Sequence, residues 1–254
     1  MTHISVADQS VALSTLKVLA DDTRWRLLGE LRHSDRQVGE LVAQLKLPQN
    51  LISYHLGLLR QAGLVQARRS DTDARAIYYG LDLAILKLMY EQIGASLILP
   101  HAALPKALSS PMVFFICTTN SARSQMAEGW LRYLSNGRAS VRSVGLQPGT
   151  LHPLAVQVMA EAGADIGHQR AKGPDALIDT VPDVVVSVCD VAREQCPDWP
   201  GTRRYLHWSV PDPARVRGSL ESRMQVFRDV RDHLRQRVEA LLALLPALTE
   251  QQHS

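Results

Sequence analysis

The chain has 254 residues, enough for two domains of ordinary size. Hydrophobic residues make up 46% and charged residues 21%, which excludes a mainly disordered chain. The net charge of +3 excludes a bulk basic field for gripping nucleic acid: residues 1–100 hold 11 Lys and Arg against 10 Asp and Glu. No apolar run approaches the length of a membrane span, and no basic-then-apolar leader pattern is seen, so the expected location is cytoplasmic with no membrane partner. All three cysteines fall after residue 116, which argues against a structural disulfide framework.

Val11 to Ala20 is amphipathic, with Leu13, Leu16 and Leu19 on one face. Asp21-Asp22-Thr23 supplies cap chemistry for a helix expected to pack Trp25, Leu27, Leu28 and Leu31. Val38, Leu41, Val42 and Leu45 predict a short helix, and Pro48 predicts the start of the next, over Gln49 to Gln61. That helix buries Ile52, Leu56 and Leu59 and shows Gln49, Asn50, Ser53, Tyr54 and Arg60 on its other face. Two short helices joined by a tight turn fit a helix-turn-helix, in which Gln and Asn can bond base edges while Ser, Tyr and Arg bond phosphates. An ordinary helical core with a solvated polar face fits the periodicity equally well. A hairpin follows, with Arg68, Arg69 and Arg75 about a polar tip, so a basic wing on backbone phosphates is expected. His33, Asp35 and His55 read as solvated polar positions rather than a metal site.

Pro100, Pro105, Ser109, Ser110 and Pro111 mark a semi-rigid linker at 97–111, between a domain at 1–96 and another at 112–254. Beyond it, strands are expected at Val113–Ile116, Val141–Val144, Asp183–Val188 and Arg204–Trp208. Helices are expected from near Gln125, over His152–Ala162 and over Gly218–Leu245. The alternation predicts an α/β domain with a parallel four-stranded sheet, whose ligands gather at the carboxyl ends of the strands.

Cys117-Thr118-Thr119-Asn120-Ser121-Ala122-Arg123-Ser124 joins the first of these strands to a helix. Strand, loop and helix N-terminus make an anion cradle, with backbone N–H groups of residues 118–122 aimed inward. One loop turn brings the Cys117 thiol and the Arg123 fork to the same tetrahedral oxyanion. The helix terminus and Arg123 favour the thiolate, a nucleophile, and Ser124 can donate to the sulfur or to the oxyanion. Cys189 and Cys196, separated by six residues and without a second pair, suit a redox couple better than a metal site. Asp212 between two prolines, after the fourth strand, can serve as a general acid.

Residues 11–95 resemble the arsenical-resistance repressor (ArsR) family of winged helix-turn-helix regulators, through Leu19 to Arg24, Ser53-Tyr54-His55-Leu56 and Leu58 to Val65. The resemblance implies operator DNA as partner and a homodimer closed by the outer helices, residues 9–20 and Leu83 to Ile98. Many members sense trivalent arsenic through cysteines on the helix matching Ser34 to Leu45; here that stretch has none.

Residues 112–245 resemble the low-molecular-weight phosphatase fold and, within it, thioredoxin-coupled arsenate reductases. The matching stretches are Ile116 to Thr118, Asn120-Ser121, Arg123 to Gly129, Ser143 to Gly145, Asp183 to Val185, Cys189 to Pro197, His207-Trp208 and Asp212 to Ala214. The resemblance implies arsenate as substrate, Cys117 as nucleophile, Arg123 and Ser124 in the anion loop, Asp212 as acid, and Cys189 then Cys196 as a thiol relay. Thioredoxin or a similar reductant would be co-substrate, with no tightly bound cofactor. Some relatives carry an ion-binding network, which implies a potassium site at Asn120, Glu128, Ser143 and Asp183. Ala122 departs from relatives with another loop cysteine, which leaves the three-thiol relay intact. The expected whole is an arsenic-responsive repressor fused to an arsenate reductase. The alternatives are a fused tyrosine phosphatase, disfavoured by the Cys189/Cys196 pair and by Ala214 where an aromatic is common, and a non-catalytic oxyanion-sensing repressor.

Overall fold

The computed structural model describes residues 13, 14, 16–73, 75–97, 110–177, 180–195, 199 and 201–250. The chain divides into two compact units, Met1–Leu104 and Pro105–Ser254. Most of the expected linker, residues 98–109, lies outside the described residues, as does Cys196.

In the first unit the elements run α1 (Asp22–Leu31), β1 (Arg36–Gln37), α2 (Val38–Leu45), α3 (Gln49–Gln61), β2 (Val65–Arg69), β3 (Ile77–Leu81) and α4 (Leu83–Leu97). Asp21 caps α1 by accepting the Arg24 N–H at 2.9 Å. Glu40 accepts the Gln37 N–H at 2.8 Å at the start of α2, and Lys46 ends that helix with a left-handed φ of 53°. Pro48 then begins α3, so the two helices meet across a turn of three residues. Leu27, Leu31, Leu41, Ile52, Leu56, Leu59 and Leu64 form the core. Gly63, at a φ of 73°, turns the chain from α3 into the hairpin, a conformation that costs glycine nothing. Strands β2 and β3 are the expected hairpin, and β1 adds a third strand in the order β1-β3-β2.

Two expectations fail here. Trp25 is 64% exposed instead of packed in the core. It helps line an apolar groove of about 350 Å³ with Leu19, Leu28, Met89, Tyr90 and Ile93. Asp35 and His55 are buried rather than solvated, and His55 Nδ1 lies 3.5 Å from the Asp21 carboxylate. Among the described residues no His, Cys, Asp and Glu cluster suits a metal ion.

In the second unit the elements are β4 (Met112–Cys117), α5 (Arg123–Ser135), β5 (Ser140–Gly145), α6 (Pro153–Glu161), β6 (Val184–Ser187), α7 (Asp190–Gln195), β7 (Arg204–His207) and α8 (Leu220–Glu250). The four strands are all parallel, in the order β5-β4-β6-β7. Val113 to Ile116 and Val184 to Val186 are fully buried, as expected of central strands covered on both faces. The Trp130 indole N–H donates to the Arg231 carbonyl at 2.9 Å, pinning α5 to α8. Parallel strands put the loops after β4, β6 and β7 on one edge, and these carry Cys117, Cys189 and Asp212. Among the described residues no helix is long and apolar enough to cross a membrane.

Candidate active site

Cys117 ends β4 and is 2% exposed. The carbonyls of Cys117, Thr118, Thr119 and Ser121 accept the N–H groups of Leu146, Gln147, Gly149 and His152 at 2.8 to 3.1 Å. That ladder ties the loop carbonyls to the segment 146–152, on the side away from the one loop amide that reaches the sulfur, that of Asn120. Ala122 precedes α5 without a side-chain cap, so the helix opens onto the same space. The turn depends on Gly145: a Cβ there would stand 2.6 Å from Asn120 N and Thr119 C. Thr119 Oγ1 and Ser121 Oγ lie 2.8 Å apart on the loop's outer side.

The Asn120 N–H donates to Cys117 Sγ at 3.1 Å, and Ser124 Oγ lies 2.9 Å from the same sulfur. Asn120 is fully buried and left-handed, with a φ of 50°. Its Oδ1 accepts the Lys172 backbone N–H at 2.8 Å, an unambiguous donor that fixes which end of the amide is oxygen. Gln125 Nε2 donates to Oδ1 at 2.9 Å and to the Arg170 carbonyl at 2.8 Å. Asn120 Nδ2 donates to Ser124 Oγ and to Ser143 Oγ, both at 2.8 Å. Each hydroxyl then has its own proton to pass on: Ser143 to Glu128 Oε2 at 2.5 Å, and Ser124 to Cys117 Sγ.

Arg123 is buried. Its Nη2 donates to Asp212 Oδ2 at 2.9 Å and its Nη1 to the Val210 carbonyl at 3.1 Å. Asp212 Oδ1 accepts the Ala214 N–H at 3.1 Å, which fixes the carboxyl at the start of a short 3-10 turn. The Cys189 thiol, 1% exposed, meets Thr118 Oγ1 at 3.4 Å and accepts the Ala192 N–H at 3.3 Å. Burial pushes the Cys189 thiol above its ordinary pKa, with Cys117 adding to the rise and Arg123 opposing it. Cys189 is therefore a thiol at neutral pH and becomes the thiolate only in alkaline solution. Its labelling by iodoacetamide, followed by peptide mass spectrometry, should rise about tenfold per pH unit between about pH 7 and 9. A pH-independent rate would contradict this account.

The structure thus brings Cys117, Thr118, Thr119, Asn120, Ser121, Ala122, Arg123, Ser124, Cys189 and Asp212 to one edge of the sheet. Gln125, Lys172 and Gly145 are further parts of the loop's support. Gln125 and Gly145 lie within the motif stretches, but nothing in the pattern around Lys172 points to the loop.

The expected potassium set does not assemble. Asp183 lies at the opposite end of the strands, where its Oδ2 accepts the Met112 N–H at 2.9 Å and its Oδ1 sits 3.5 Å from Arg203. The reason is topological: a residue just before a parallel strand falls on the amino edge, away from Cys117 at the carboxyl end of β4. Of the remaining members, Glu128 already holds Arg132 Nη2 at 2.6 Å and Lys172 Nζ at 3.5 Å. Asn120 Oδ1 is spent on two N–H donors, and Ser143 donates. These residues do not fit a potassium ion.

In the first unit Gln49, Asn50, Ser53, Tyr54 and Arg60 of α3 are all exposed. Arg69 and Arg75 are exposed on the hairpin and Arg68 is half-buried. The wing is less basic than its sequence suggests, because Arg68 pairs with Asp71 at 3.0 Å and Arg75 with Asp73 at 3.1 Å.

The family model for low molecular weight phosphotyrosine protein phosphatases matches residues 112–253, and that for bacterial regulatory proteins of the arsR family matches residues 21–67. An arsenate reductase of Halalkalibacterium halodurans is 36% identical over 132 residues, 52% of this chain and 95% of that protein. One of Bacillus subtilis is 37% identical over 132 residues, with the same shares. A glutaredoxin arsenate reductase of Synechocystis is 36% identical over 131 residues, again 52% of this chain and 95% of that protein.

Proposed function

Since the chain belongs to the low molecular weight phosphotyrosine protein phosphatase family and carries an arsR-family helix-turn-helix at residues 21–67, we propose that it is an arsenic-responsive transcriptional regulator and an arsenate reductase in one polypeptide. One observation carries the enzymatic half. A second thiol, Cys189, touches the loop that begins at Cys117, its sulfur 3.4 Å from Thr118 Oγ1.

Arsenate enters the loop and takes the Arg123 fork from Asp212. The Cys117 thiolate attacks arsenic, and Asp212 passes a proton to the departing oxygen, which leaves as water. Cys189, a thiol at rest, gives up its proton to solvent and its sulfur then attacks Cys117 Sγ. The electron pair of the S–As bond stays on arsenic, which leaves as arsenite, and the two sulfurs are joined. Cys196 attacks Cys189, freeing Cys117 and leaving a Cys189–Cys196 disulfide for an external dithiol, thioredoxin or glutaredoxin, to open. Two thiols supply the two electrons. Cys196 lies outside the described residues, so its step rests on the sequence.

For the regulatory half, α3 enters the major groove, with Gln49 and Asn50 at base edges and Ser53, Tyr54, Arg60, Arg68, Arg69 and Arg75 at phosphates. A homodimer covers the groove beside Trp25 and Tyr90.

The test is arsenate-dependent oxidation of a dithiol reductant with release of arsenite. The wild type should turn over and Cys117→Ser should not. Aryl phosphate hydrolysis without any arsenate-dependent reductant oxidation would return the second unit to the phosphatases.

A further inference from the structure

The support beneath the anion loop ends in a buried carboxylate. A chain of donors runs from Asn120 Nδ2 two ways, through Ser143 to Glu128 and through Ser124 to Cys117. The Glu128 side chain is 3% exposed, and a carboxylate there requires countercharge. Arg132 reaches Oε1 from a half-exposed position. Oε2, the oxygen that takes the Ser143 proton, faces Lys172 Nζ at 3.5 Å. The same ammonium donates to the Arg170 carbonyl at 3.1 Å. Lys172 touches the loop a second time through its backbone N–H on Asn120 Oδ1, and its carbonyl accepts the Gly145 N–H at 2.8 Å. One residue thus holds both the Asn120 side-chain amide, from which the chain of donors starts, and the carboxylate at its far end.

We propose that Lys172 is a positioning residue that serves as the resident cation of the anion loop, so that this enzyme binds oxyanions without a monovalent metal ion. Glu128 charged and paired keeps Ser143 donating toward it, which leaves Asn120 Nδ2 committed to both hydroxyls and the Ser124 proton directed at Cys117. Loss of the ammonium leaves Oε2 short of countercharge and frees two oxygens, Glu128 Oε2 and Arg170 O, that a potassium ion prefers as ligands.

The inference rests on the oxyanion-loop reading, and its test needs no turnover. Inorganic phosphate binding is measured by calorimetry on the full chain, in tetramethylammonium chloride and in potassium chloride at equal ionic strength. The wild-type Kd should differ by less than about twofold between the salts. Lys172→Ala should bind about tenfold more weakly in tetramethylammonium, the size of one lost charge-assisted contact, and regain at least about threefold in potassium. Its melting temperature should rise with potassium, which the wild type's should not. Lys172→Arg should behave as wild type. If Lys172→Ala fails to fold, Lys172→Gln keeps the side-chain bulk and must show the same weakening. A wild type that needs potassium, a lysine-free variant that binds phosphate normally without it, or one equally weak in both salts would each overturn the proposal. If no protein binds phosphate at all, the oxyanion loop itself is the part that fails.

Discussion

Cys189→Ser should lose arsenate-dependent reductant oxidation completely and keep aryl phosphate hydrolysis within a factor of about three, since the thiol it removes is needed for one reaction alone. Hydrolysis asks for a nucleophile, an oxyanion grip and a proton donor, which Cys117, Arg123 and Asp212 supply. Cys189 stands outside the hydrogen bonds to Cys117 Sγ, which come from Asn120 and Ser124. Serine fills nearly the same space and its oxygen can still accept the Ala192 N–H that now reaches the thiol, so the fold around α7 should survive. What serine cannot do is take up a disulfide bond and release two electrons to arsenic. Steady-state assays of both reactions on one preparation check this. Equal loss of both would mean that Cys189 is structural, and retention of both would mean that another thiol does the work.

Arg123→Ala should lower kcat/KM for aryl phosphate hydrolysis by about three orders of magnitude, in the range seen when a preorganised charge partner of a developing oxyanion is removed. The guanidinium is buried and anchored through Nη1 to Val210 O, so an arriving oxyanion has only the Asp212 contact to displace. Arg123→Lys should recover only part of the loss. A lysine carries the charge, but one ammonium cannot reproduce a planar fork that meets two oxygens side by side. The melting temperature should move only slightly, because Asp212 is partly exposed and water can solvate its carboxylate once the partner is gone. A loss below about tenfold in Arg123→Ala would show that the oxyanion is held elsewhere.

Both predictions use residues legible from sequence, and the reason is physical. Val113 to Ile116 is a run buried on both faces, which marks a central parallel strand, and Cys117, with five residues between it and Arg123, then has few places to go. The helix-turn-helix was legible because Ile52, Leu56 and Leu59 keep strict helical spacing. Short or aperiodic pieces were not. Two residues, Arg36 and Gln37, join a sheet only because β3 lies alongside, and six residues at Asp190–Gln195 hold too few apolar positions to show a period. Trp25 looked like core because it is large and apolar, yet it lies on the groove side of α1. Lys172 was invisible because its approach to Asn120, 52 positions away, is set by an irregular loop. Asp183 was misplaced by the family resemblance, although its position just before β6 already put it on the wrong edge of the sheet.

The most direct measurement is a single turnover without external reductant. Reduced wild-type protein is mixed with excess arsenate, quenched, and read for arsenite and for disulfide-linked peptides. The relay predicts about one arsenite per chain, the loss of two thiols, and a Cys189–Cys196 linkage with Cys117 free again. Arsenite formed with all three thiols intact, or two thiols lost in a linkage that excludes Cys189, would contradict it.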